Sequence, residues 1–165
     1  MAAKTIETNN PFALIQPYGK ASPWKGLTAQ RENGFLVFDT VENGLRAGFI
    51  NLYNTYLKRG RNTIATIIPV YAPDGGEAYI RFLEKFTGWD RNKVIQTQGE
   101  VFKLAHGIIN FEAGKNWVGV HQIARAQEVA LEYLGLESKV KKAAISGGVV
   151  IVGIVAYIAY RYFTR

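Results

Sequence analysis

Residues 35–47 read Phe35-Leu36-Val37-Phe38-Asp39-Thr40-Val41-Glu42-Asn43-Gly44-Leu45-Arg46-Ala47. The stretch changes period in the middle. Gly34 to Phe38 is a short apolar run that suits a strand. Asp39 with Glu42 three residues on is an Asp variant of a capping box, which starts a helix. From there Val41, Leu45, Phe49, Leu52, Tyr53 and Tyr56 recur at helical spacing, and Gly60 supplies the stop.

The same reading extends along the chain. Thr63 to Ile68 is a short apolar segment that Pro69 ends or kinks. Asp74-Gly75-Gly76 is a turn. Tyr79, Phe82, Leu83 and Phe86 form the next stripe, stopped by Gly88. Val101, Leu104, Ala105, Ile108 and Glu112 share one face of a helix followed by Gly114. Ile123, Gln127, Ala130, Leu131 and Leu134 belong to a last helix, stopped by Gly135. Residues 9–33 are turn-rich. The expected architecture is mainly α with a small β element.

The chain has 165 residues, enough for one modest domain with an appendage, and no cysteine. That excludes a disulfide scaffold, a zinc finger and a thiol nucleophile. The net charge of +7 is uneven: residues 139–165 carry five basic side chains and no acid. The remainder is only mildly basic, so a nucleic-acid-binding domain is not expected. Ala143 to Tyr160 reads AAISGGVVIVGIVAYIAY without a charge. About 18 residues lies near the lower limit for crossing a bilayer. Lys139, Lys141 and Lys142 precede it, and Arg161 and Arg165 follow. Tyr157, Tyr160 and Tyr162 sit where an interfacial belt belongs. The expectation is a domain over 1–138 and a single C-terminal transmembrane helix over 139–165. The chain would sit in a membrane, with membrane lipid as a partner. No apolar signal segment opens the sequence.

Few residues offer chemistry. His106 and His121 fall on different helices without an acid cluster at ligand spacing, so neither a metal nor a cofactor is expected. No phosphate loop or nucleophile elbow occurs. Glu112 stands out because it falls on the apolar stripe of its helix, in the last turn. Burial and the negative end of the helix dipole both disfavour its charge. A carboxyl that keeps its proton is what a general acid needs to protonate a glycosidic oxygen. The same pattern also fits a helix-end Glu facing solvent. Asp39 and Glu42 are secondary candidates, although capping accounts for both. Trp24, Tyr71, Trp89 and Trp117 flank loops, where rings line sugar grooves or pack the core.

Several motifs carry a resemblance when taken in order. Asn9-Asn10-Pro11, Trp24-Lys25-Gly26-Leu27 and the Phe35–Ala47 stretch are similar to phage-encoded structural proteins of the lysozyme-like type. Gly60-Arg61-Asn62-Thr63-Ile64, Tyr71-Ala72-Pro73 and Glu77-Ala78-Tyr79-Ile80 add to it. The resemblance covers roughly residues 8–135. A second likeness is to flagellar-type peptidoglycan glucosaminidases in circularly permuted order, with Phe111-Glu112-Ala113-Gly114 as the helix end that carries the acid. The resemblance implies a lysozyme-like fold, Glu112 as general acid, and Asn10, Trp24, Tyr71 and Trp117 as substrate-binding residues. It also implies capsid or other virion proteins as partners, a virion membrane or host cell membrane as the location, and, in the enzyme reading, peptidoglycan as a substrate. One departure stands out: Phe12-Ala13-Leu14-Ile15 replaces the family's Gly-Asn-Ile-Arg, which removes polar groups from that block. Two readings follow. One is a membrane-anchored virion component whose domain is structural. The other is an active peptidoglycan glycosidase or lytic transglycosylase. A tail-anchored adaptor needs only the anchor.

Overall fold

The computed structural model describes residues 2–16, 24–31, 33–114 and 117–136. Six α-helices and a two-stranded antiparallel sheet occur among them: α1 (Ala2–Glu7), β1 (Leu27–Gln30), β2 (Leu36–Phe38), α2 (Val41–Asn51), α3 (Ile64–Tyr71), α4 (Gly76–Thr87), α5 (Gln98–Ala113) and α6 (Val120–Tyr133). The strands pair Leu27 with Phe38, Ala29 with Val37 and Gln30 with Leu36, with a bulge between Leu27 and Ala29.

α2 starts at Thr40 rather than Asp39. Thr40 is extended, and its hydroxyl accepts the Asn43 N–H. After Asn51 the chain widens into a π-turn over Leu52–Tyr56, tightens into a 3-10 turn over Leu57–Arg59, and stops at Gly60 in the left-handed region. The side chains of Thr63 and Thr66 cap α3 reciprocally, and those of Thr97 and Glu100 do the same for α5. Pro69 lies inside α3 without ending it: the helix runs on to Tyr71 at the loss of one backbone donor.

α5 is the centre. Val101, Leu104, Ala105, Ile108 and Ile109 are buried along it, and α1, α4 and α6 pack around it. Gly107 lets α4 come close, since a Cβ there would lie 2.8 Å from Leu83 Cδ2. α2 packs along α6. The segment before the sheet is built into this core. Asn10 is fully buried; its amide donates to the Leu14 and Leu36 carbonyls and accepts the Leu14 N–H. Gly44 and Gly48 make α2 bare where Asn9 to Phe12 cross it.

Among the described residues no helix is long and apolar enough to cross a membrane. The expected fold of a helical domain plus a single C-terminal transmembrane helix is therefore corrected, and with it the localisation in a virion or host membrane. α5, the longest described helix at 16 residues, would span only about 24 Å. It also carries Lys103, His106 and Glu112, and its apolar face is spent on its neighbours. Residues 143–160, on which the expectation rested, lie outside the described residues.

A buried acid among tyrosines as the candidate functional site

Glu112 sits in the last turn of α5 and is only 4% exposed. The periodicity that put it on the apolar stripe is the reason: it is one turn beyond Ile108 and inside the same packed face. Burial raises its pKa above the usual 4.5, and the Tyr79 hydroxyl opposes that in part.

Aromatic rings from three helices surround it. Tyr79 of α4 stacks on Phe111, with centroids 3.7 Å apart and planes 17° from parallel. Tyr71 of α3 meets Tyr79 edge-on at 6.4 Å and Tyr56 at 5.9 Å. Phe82 leans on Phe111 at 5.2 Å. The Tyr71 hydroxyl donates to the Phe12 carbonyl, which ties the site to the Asn10 loop. The Tyr79 hydroxyl is fully buried and makes no hydrogen bond of ordinary geometry, although it is close enough to Glu112 for each to shift the other's titration. Burial holds both phenols well above their ordinary range, and the nearby Glu112 adds to this.

The other expected site residues lie differently. Asp39 is exposed and ends the strand rather than capping α2. Asn43 Nδ2 donates to its carboxylate at 2.8 Å, its backbone N–H reaches the Gly26 carbonyl, and the Asn43 bond holds its pKa low. Glu42 accepts from Gln122 Nε2 at 3.0 Å, which joins the first turns of α2 and α6. Both acids are thus engaged in holding elements together. Asn10 has its amide fully engaged with backbone. Trp24 and Trp117 are half-buried against the core, one ahead of β1 and one ahead of α6. So the structure links Tyr71 to Glu112 and joins the Asn10 loop to Tyr71. Tyr79 is the member that sequence reading missed as a site residue. Its place on the apolar stripe of α4 was visible, but the position of its hydroxyl depends on the stack with Phe111.

Among the described residues no three His, Cys, Asp or Glu side chains converge as a metal site would need. What the cluster can do chemically is favour the neutral form of a buried carboxyl. His106, on the same helix, lies between Phe86 at 5.2 Å and Phe102 at 6.1 Å, and burial lowers its pKa.

Fold and site together define a small helical domain closed around one buried acid. Set against known proteins, the chain matches no family model. It is similar to Protein P5 of Pseudoalteromonas phage PM2, with 29% identity over 119 residues, 70% of this chain and 74% of that protein. A bacteriophage protein is therefore among its relatives. The lysozyme-like family gains no support from these comparisons.

Proposed function

We propose that this chain is a structural component of a bacteriophage virion and packs against capsid or other virion proteins. The observation that carries the reading is the similarity to a phage protein over most of both chains. The domain suits a structural part. Its candidate acids Asp39 and Glu42 are engaged in tying elements together, and Asn10 is buried in backbone contacts. The test is to purify phage particles from cultures that make this chain and to follow it by mass spectrometry through a density gradient. Co-migration with the major coat protein at constant ratio supports the reading. A chain left wholly in the particle-free lysate overturns it.

A second reading has one observation in its favour, the raised pKa of the buried Glu112. A lysozyme-like peptidoglycan glycosidase or lytic transglycosylase would use that carboxyl to protonate the glycosidic oxygen. An exposure of 4% leaves a polysaccharide little access to it. A muralytic assay of the wild type beside Glu112→Gln separates the two readings: lysis that disappears in the variant supports an enzyme, and no lysis by either supports the structural part.

A further inference from the structure

Glu112 and Tyr79 carry an inference that neither reading above requires. Both carry buried polar groups, and they come from different helices, α5 and α4. A buried hydroxyl without a partner is costly, and the Tyr79 hydroxyl is one. The neighbouring Tyr71 cannot serve Glu112 as a donor, because its hydroxyl is given to the Phe12 carbonyl. Among the described residues Tyr79 from α4 acts on Glu112, and α1, packed against α5, carries Lys4 and Glu7, both exposed. Tyr71 from α3 feels the carboxylate in return. The buried face of α6 offers Ile123, Ala126, Gln127, Ala130 and Leu131, none of them charged.

We propose that Glu112 and Tyr79 form a proton-operated latch between the C-terminal end of α5 and α4. With the proton on, the neutral carboxyl sits buried beside the Tyr79 hydroxyl. With the proton released to solvent, a carboxylate is left where no described cation neutralises it, and the last turn of α5 loosens to admit water. The sign follows from linkage. A carboxyl held above its unfolded value of 4.5 adds stability below that value and loses it as pH rises through the folded value. Each unit by which the folded carboxyl lies above 4.5 costs about tenfold in the folding equilibrium once it ionises.

The test uses the full chain, with urea midpoints taken from about pH 4.5 to about pH 8. Wild type is expected to fare worse than Glu112→Gln as pH rises across this range, the opposite contribution of buried His106 being common to both proteins. The gap between the two folding equilibria should widen as pH rises through the folded value of Glu112. Amide exchange at residues 109–113, corrected for intrinsic rates, should slow on acidification in wild type and not in the variant. If Glu112→Gln fails to fold, Tyr79→Phe serves instead. It keeps the ring stack and removes the hydroxyl that helps the carboxylate, so its stability should decline further at the upper end of the range. Equal pH profiles in wild type and in whichever variant folds overturn the latch.

Discussion

Gly48 lies directly beneath the Phe12 ring: a Cβ at that position would stand 1.9 Å from Phe12 Cδ2. The contact seats the Asn9–Phe12 segment on α2, and Phe12 in turn meets Phe49 edge-on at 5.6 Å. Gly48→Ala should therefore destabilise the domain by about 3 kcal/mol, near the upper end for overpacking a core. Urea denaturation measures it. The double variant with Phe12→Leu should recover part of the loss, and a Gly48→Ala protein as stable as wild type would contradict the close approach.

Gly99 gives the opposite expectation. It lies in the first turn of α5, and nothing stands within 4 Å of where a Cβ would be. Gly99→Ala should stabilise the protein by roughly 0.5–1 kcal/mol through helix propensity alone. Thermal melts of the two glycine variants side by side should move in opposite directions.

Asn10→Ala removes three hydrogen bonds at a site with no solvent to replace them. At about 1 kcal/mol net for each, the loss is roughly 3 kcal/mol. If Asn10 bound a sugar instead of holding the fold, the variant would keep its stability; differential scanning calorimetry tells these apart.

Acid should weaken the fold through a different set of groups. Lys93 holds Glu100 down to about pKa 2, and Arg91, which also holds Glu84, brings Glu77 to about 2. Each carboxylate adds stability above its ordinary 4.5 and loses it as pH falls toward 2. Lys93→Met and Arg91→Met should each flatten the pH dependence of the urea midpoint in that window. These pairs are partly exposed, so the flattening should shrink in high salt.

Much of the helical framework was legible because its signals are local. Gly60, Gly88, Gly114 and Gly135 all stop helices in the left-handed half of backbone space, as their positions after apolar stripes required. The spacing of Glu112 after Ile108 left burial and exposure both open, and the packing of the α5 end decided for burial. What escaped depends on distant contacts. α1 is only six residues and packs against α5. β1 is four residues whose partner lies beyond a turn. The start of α2 was misplaced by one residue because Asp39 is still tied to Gly26 across the sheet, leaving the cap to Thr40. Asn10 was noticed as a motif, but nothing local says that its amide bridges Leu14 and Leu36.

The anchoring of the first dozen residues has a consequence for how the chain is made. α1 packs on α5, and the Asn10 loop closes on β2 and α2. This segment, made well before α5, must therefore wait for a helix that ends at Ala113 before its own contacts exist. Until then Phe12 and the apolar stripes of α2 to α4 lack their cover, so nascent chains stalled before α5 should need a holding chaperone that finished chains do not.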